Sequence, residues 1–266
     1  MKISIIGGGN MGEAMLSAVL DKRLSPKEEV AVSDISQSRR EHLKQKYWIT
    51  VTDDNRQVVG TGDVVVLAIK PQNLAEVMAG LNGAFNSPQL VVSIIAGARI
   101  DTLCQGLGYR QVVRVMPNTP AQIGEGMSVW TATSEVAGEQ KKQAGAILSA
   151  MGCDIYLEDE KYLDMATAVS GSGPAYVFLF AEALAGAAVE VGLSYDVACK
   201  LVQQTILGAA KFMAHSDRLP AELRRQVTSP GGTTEAALAR LEEGQFTKLI
   251  KEAVTAAYHR AQELGS

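Results

Sequence analysis

Two glycine-bearing stretches of this 266-residue chain have the residue types and spacing to do chemistry. The first is "GGGNMG", Gly7–Gly12, which follows the apolar run "ISII" and opens a stretch of helical character. Gly7, Gly9 and Gly12 match G-x-G-x-x-G. There the first glycine makes a tight turn, the second lets backbone approach a pyrophosphate, and the third lets helix pack on strand. The helix N-terminus would add N–H donors and partial positive charge, so the stretch reads as a dinucleotide site. The second is "SPGGTTEA", Ser229–Ala236, far along the chain and just before a predicted helix. Its glycines bare N–H groups, and Ser229, Thr233 and Thr234 add hydroxyls, which together suit an anion the size of a carboxylate. Thr234 is placed to face a substrate nitrogen, and Glu235 falls in the first helical turn, where the dipole favours an acid. Capping of the helix by Thr233 or Thr234 is the competing reading.

Other residues point to the same dinucleotide crevice. Asp34 closes the second predicted strand, roughly 20 residues beyond the glycines, where an acid usually accepts ribose hydroxyls and repels an extra phosphate. Yet Ser33, Ser36, Ser38, Arg39 and Arg40 cluster beside it and could hold that phosphate, so the choice between NADH and NADPH stays open. "AIKPQ" (Ala68–Gln72), "IIAG" (Ile94–Gly97) and "VMPNTP" (Val115–Pro120) follow further strands. Their prolines and glycine make rigid turns suited to a planar ring, or are simply strand-to-helix punctuation.

The elements that must position these residues are legible in the hydrophobic pattern. Up to about Leu157, short β-branched runs ("KISII", "VAVS", "VVVLAI", "LVVSII", "QVVRVM", "MSVWTA") alternate with helical stretches such as Met11–Lys22, Gln37–Lys46 and Val136–Met151. Runs that are apolar without alternation fit strands buried on both faces. This is the pattern of an α/β fold, an N-terminal Rossmann-type, doubly wound, mostly parallel sheet, followed by an all-α C-terminal domain. The boundary is expected near 161, giving a dinucleotide-binding domain over 1–161 and a helical domain over 162–266. Helices are predicted over Pro174–Val191, with Ser172 as N-cap, from Ser194 to about Ala214, and near Phe246–Leu264. Pro174–Val191 is apolar on nearly every side and needs cover all round. A helical domain of about 100 residues is small for that. Burial in a subunit interface and a central helix wrapped by its own domain are both open.

Composition narrows the function classes. With 47% hydrophobic and 20% charged residues, the chain fits a globular protein with sizeable cores. A formal net charge of −4 argues against an electrostatic nucleic-acid binder. Cys104, Cys153 and Cys199 are scattered, which fits a reducing, cytoplasmic setting. His42, His215 and His259 lack metal-site spacing, so no metal is expected. "MKISIIGGGNMG" lacks the small-residue cleavage site of a secretory signal, and Ala175–Val191 carries Glu182 and Glu190, so no membrane span is expected.

Hydride transfer to a carbonyl usually needs a proton donor near the nicotinamide. Hydroxyacid dehydrogenases with a similar glycine fingerprint carry a Lys in the first long helix of the second domain, but Tyr162–Cys199 contains none. A protonated C=N carbon is already electrophilic, so an imine substrate needs orientation more than a strong acid.

"IIGGGNMGEAM", "LAIKPQ", "RVMPNTP", "VSGSGPAYVF" and "VTSPGGTTEAAL" resemble the pyrroline-5-carboxylate reductase family over nearly the whole chain. The resemblance implies reduction of 1-pyrroline-5-carboxylate to L-proline with NADPH or NADH, the last step of proline synthesis. It implies a homodimer formed through interlocking helical domains, with dimers that assemble further. Carried over by position, Gly7, Gly9, Asn10, Met11 and Gly12 would hold the pyrophosphate. Ser33 and Asp34 would lie at the ribose and Asn55 near the adenosine, with Ala68, Lys70 and Pro71 along the nicotinamide half. Pro117 and Asn118 would lie beside nicotinamide and substrate. Ser229 with the N–H groups of Gly232 and Thr233 would bind the substrate carboxylate, and Thr234 would contact the ring nitrogen and relay a proton. The family loop meets a Rossmann crevice across the dimer. Many members carry Asn or Ser then Arg at the second strand end; Asp34-Ile35 here makes dual or NADH use plausible. Reduction of another small imino or hydroxy acid, or non-catalytic NAD(P) binding by a regulator, are the alternatives.

Overall fold

The computed structural model describes Met1–Gly265. Contacts divide the chain into two compact units, Met1–Ser172 with Ala257–Ser266, and Gly173–Ala256.

The first unit is built on one eight-stranded sheet. Its strands are β1 Ile3–Ile6, β2 Val30–Ser33, β3 Thr50–Thr52, β4 Val64–Leu67, β5 Leu90–Ser93, β6 Val112–Met116, β7 Gly126–Ala132 and β8 Gly152–Tyr156. Their spatial order is β3-β2-β1-β4-β5-β6-β7-β8. Every neighbouring pair is parallel except β6 with β7, where Val115 faces Trp130 in antiparallel register. The helices are α1 Asn10–Asp21, α2 Gln37–Tyr47, α3 Asn55–Val59, α4 Leu74–Leu81, α5 Ile100–Leu107, α6 Gly138–Ser149 and α7 Lys161–Ala166.

β1, β4 and β5 are buried along their whole length, as their unbroken apolar runs predict. Alternate side chains serve two cores. Ile3, Ile5, Val64 and Val66 pack with Met15, Leu16 and Val19 of α1. Ile6, Val65 and Leu67 pack with Met78, Leu81, Leu103 and Leu107 on the other face. Each such side chain contributes roughly 1.5–3 kcal/mol by leaving water. The strand order reverses between β1 and β4, and ligands of such sheets bind outside the carboxyl ends at that point.

The first unit continues past 161, where the strand pattern stops. Arg114 of β6 is buried and pairs with Glu160 at 2.7 Å and with Asp164 of α7 at 3.3 Å. A buried arginine without those carboxylates would be costly, so α7 stays with the sheet.

The second unit holds α8 Gly173–Glu190, α9 Tyr195–Ala214, α10 Pro220–Gln226 and α11 Thr233–Glu243. α12, Phe246–Leu264, starts in this unit and ends in the first. Ser172 does not cap α8. It has helical dihedrals, and its N–H donates to the Thr167 carbonyl at 2.8 Å in a π-helical turn, so helix runs unbroken from Lys161 to Glu190. By length and composition that run is apolar enough to cross a membrane. Ala185 is the one α8 residue buried among the described residues, while Phe178 and Leu179 are 65% and 67% exposed. The reading of α8 as a core helix wrapped by its own domain is therefore overturned: α9 packs on part of it, and most of its residues stay exposed on the single chain.

Candidate cofactor and substrate sites

The ends of β1, β2 and β4 open onto one groove of about 980 Å³. Gly7, Gly9, Ser33, Asp34, Asn55, Ala68 and Lys70, predicted far apart in sequence, all line it. The glycines fit a dinucleotide for distinct reasons. Gly7 has φ +100°, and a Cβ there would meet the Ala68 carbonyl oxygen at 2.6 Å. Gly9 has open space around it and caps α1 without any side chain, which leaves the first N–H groups of α1 for an anion. Asn10 and Met11 form that first turn, Asn10 exposed and Met11 packed on the core. Gly12 lets α1 seat against the turn. Lys70 precedes Pro71, which starts a short 3₁₀ turn at the groove rim. Ile35, which follows Asp34, is 84% exposed and adds an apolar side chain to the same groove.

The adenosine end is wired by hydrogen bonds. Ser33 Oγ donates to Asn55 Oδ1 at 2.6 Å. Asp34 Oδ2 accepts the Gly8 N–H at 2.8 Å, and Oδ1 accepts the Ser36 N–H at 2.8 Å. Arg39 Nε donates to the Gly8 carbonyl, so Gly8 is held through both its N–H and its carbonyl. Arg40 donates to the carbonyls of Asp34 and Ile35 at 2.7 and 3.1 Å and pairs with Asp53.

Behind this loop stands Glu13, which no local pattern marks beyond its place in the first turn of α1. Its carboxylate pairs with Arg39, accepts from Lys46 at 2.8 Å and from Tyr47 Oη at 2.9 Å, and lies 3.3 Å from His42 Nε2. Burial pushes its pKa up, but the hydrogen bonds from Lys46, Tyr47, Arg39 and His42 outweigh that and bring it down to about 2.

Asn118 is engaged at both ends of its amide. Nδ2 donates to the Ser170 carbonyl at 3.1 Å and Oδ1 accepts the Met127 N–H at 2.8 Å. Pro117 is buried beside it. The pair thus fixes the turn after β6.

In the second unit, Ser229–Thr234 form the predicted entrance to α11. Gly232, not a threonine, is the N-cap, and no side chain caps the helix, so the capping role considered for Thr233 and Thr234 is absent. Their hydroxyls and N–H groups stand at the first two helical positions. The Gly232 N–H, expected to serve the anion, donates instead to the Ser229 carbonyl at 3.0 Å. Glu235 turns back to accept the Gly231 N–H at 2.7 Å, bracing the loop where Gly231 adopts φ +70°. A side chain at Gly232 would strike Ser229 Oγ at 2.5 Å. Ser229 and Thr233 are exposed, and Gly232 and Thr234 half-buried. Among the described residues no cluster of His, Cys, Asp and Glu could hold a metal ion.

Residues 160–264 match the family model for pyrroline-5-carboxylate reductase dimerisation, and residues 2–97 match that for coenzyme F420-dependent NADP oxidoreductase. A pyrroline-5-carboxylate reductase of Synechocystis sp. is 43% identical to the chain, covering 100% of it and 98% of the relative. The chain belongs to the pyrroline-5-carboxylate reductase family. The resemblance carried by its motifs is thereby borne out along the full length. A reductase of this name from Pseudomonas aeruginosa is 42% identical over 99% of the chain and 96% of its own length. Among solved structures, the pyrroline-5-carboxylate reductase of Coxiella burnetii superposes with a TM-score of 0.93 at 37% identity, covering 100% of this chain and 98% of that one. The Plasmodium falciparum enzyme, solved with NADP bound, superposes with a TM-score of 0.90 at 32% identity, again over 100% and 98%. As a reductase of this family, the chain has an NAD(P)-type Rossmann unit and a helical dimerisation domain, and the uncovered apolar surface of α8 falls within the latter.

Proposed function

We propose that this chain reduces 1-pyrroline-5-carboxylate to L-proline with a hydride from NAD(P)H, the last step of proline biosynthesis. The observation that carries the reading is the pairing of a glycine cradle for a dinucleotide with a separate helix entrance whose hydroxyls are not used for capping. Bound NAD(P)H supplies the hydride. The residues of the chain supply the rest. Ser229 Oγ and the N–H groups at the start of α11 hold the substrate carboxylate, with Gly232 keeping Ser229 in place. Thr234 contacts the ring nitrogen and relays a proton. Gly7, Gly9, Asn10, Met11 and Gly12 take the pyrophosphate; Ser33, Asp34 and Asn55 take the adenosine. Ala68, Lys70 and Pro71 line the nicotinamide half, and Pro117 with Asn118 shapes the turn beside it.

Both dinucleotides serve in this reading, because Asp34 can accept ribose hydroxyls while basic residues stand close by. The protein is a cytoplasmic homodimer through residues 162–266, with further assembly of dimers. A carbonyl-reducing alternative on the same fold lacks support from Tyr162–Cys199, which offers no lysine as proton donor. The test is oxidation of NADH and NADPH with 1-pyrroline-5-carboxylate in the wild type and in Thr234→Ala. Wild-type turnover with a large loss in the variant supports the reading; an unchanged rate removes Thr234 from the mechanism.

A further inference from the structure

We propose that Glu13 sets cofactor preference without touching the cofactor, by holding Arg39 on the glycine loop so that its guanidinium does not serve a 2′-phosphate. The proposal rests on the reading of Gly7–Gly12 and Asp34 as the dinucleotide site. The sequence places five phosphate-suited side chains at the end of β2: Ser33, Ser36, Ser38, Arg39 and Arg40. In the fold each is committed elsewhere. Ser33 bonds Asn55, Ser36 and Ser38 lie 3.0 Å apart oxygen to oxygen, and Arg40 is bound to two carbonyls and to Asp53.

Arg39 differs from the others in how it is held. Through one residue, Gly8, it stands two hydrogen bonds from Asp34: the Gly8 N–H donates to Asp34, and Arg39 Nε donates to the Gly8 carbonyl. Unlike Lys70 and Arg56, it does not line the groove itself. One side chain, Glu13, neutralises it and fixes its direction, while also binding Lys46, Tyr47 and His42 from the same helix. A 2′-phosphate adds a charge of about −1.5 to −2 and strong acceptor oxygens, and a planar guanidinium pairs with it well only when free to turn its fork. With Glu13 present, Arg39 is turned inward, and Asp34 lines the groove with the Gly8 and Ser36 N–H groups on its carboxylate oxygens. With Glu13 neutral, Arg39 gains the freedom to face outward.

The experiment measures Kd for NADPH and NADH by nicotinamide fluorescence, without substrate and at fixed ionic strength, on the full chain. Binding is read separately from turnover, so a failure here and a failure of the proposed reaction are distinguishable. Glu13→Gln, of the same shape and still able to accept a hydrogen bond, is expected to shift the ratio of the two Kd values at least roughly fivefold toward NADPH. Adding Arg39→Met is expected to abolish the shift. Arg39→Met alone is expected to weaken both cofactors alike, with the ratio constant to about twofold. An unchanged ratio in Glu13→Gln overturns the proposal, as does a shift that survives in the double variant. If Glu13→Gln does not fold, Arg39→Met decides: a selective loss of NADPH means that Arg39 already serves the phosphate and the proposal is wrong. Failure of the wild type to bind either dinucleotide overturns it together with the site reading beneath it.

Discussion

Gly12 lies so close to Gly7 that a Cβ at residue 12 would sit 2.0 Å from the Gly7 carbonyl oxygen. No side-chain rotation relieves that contact, because the backbone fixes where a Cβ lies and the oxygen belongs to the backbone. Gly12→Ala is therefore expected to push α1 off the turn. The overpacking cost is about 1–3 kcal/mol, with weaker binding of both cofactors, seen as a lower Tm and a raised Kd. A Tm equal to that of the wild type would show that α1 does not seat as described.

Gly9 makes the opposite prediction from the same motif. Nothing lies within 4 Å of a Cβ built there. Gly9→Ala is expected to leave the Tm nearly unchanged and to weaken cofactor binding by about tenfold or more, since the methyl enters the space reserved for the pyrophosphate. Calorimetric titration beside a melting curve separates the two effects.

How much of this was legible in the sequence depends on whether the signal is local. The glycine turn, the buried strands β1, β4 and β5 and the α11 entrance are written in contiguous residues, and the fold bears them out. β3 and β8 were not predicted. β3 has three residues and is at best half-buried, and β8 alternates half-buried with exposed positions instead of forming an apolar run. The antiparallel turn into β7 depends on pairing with β6, which no local pattern encodes. Ser172 looked like a cap because Ser precedes Gly-Pro, but the preceding turn is already helical. The Glu13 network joins two helices across 26 to 34 residues of sequence, so only the tertiary packing of α1 against α2 reveals it.

The two hydroxyl residues of the α11 entrance are expected to separate kinetically. Ser229→Ala should raise KM for 1-pyrroline-5-carboxylate about tenfold, the loss of one hydrogen bond to a charged group, with KM for the cofactor unchanged. Thr234→Ala should lower kcat by roughly 10²-fold, the lower range for a lost proton-transfer group. Initial-rate kinetics with each substrate varied in turn checks both.

Glu13 makes a pH prediction whose sign follows from its lowered pKa. Its folded value, about 2, is below the ordinary 4.5, so its stabilising contribution is complete above about 4.5 and is lost as pH falls toward 2. Glu13→Gln should thus melt below the wild type at neutral pH, and the gap in Tm should close between pH 4.5 and pH 2. A gap that stays constant through that window would mean that the carboxylate charge is not what the cluster uses.

Leu179 of α8 is 67% exposed on the single chain, within the residues matched to the dimerisation domain. Leu179→Glu would place a charge against apolar surface in the proposed dimer, at a cost of several kcal/mol. Sedimentation analysis is expected to find a monomer with little activity, whereas a wild-type dimer would show that this part of α8 lies outside the interface.

The most direct measurement is product analysis during NAD(P)H oxidation with 1-pyrroline-5-carboxylate as sole acceptor, run beside an open-chain hydroxyacid–ketoacid pair. The account predicts L-proline formed in equal amount to the cofactor oxidised, with no comparable turnover of the open-chain pair. Cofactor binding without proline formation, or turnover confined to the open-chain pair, would contradict it.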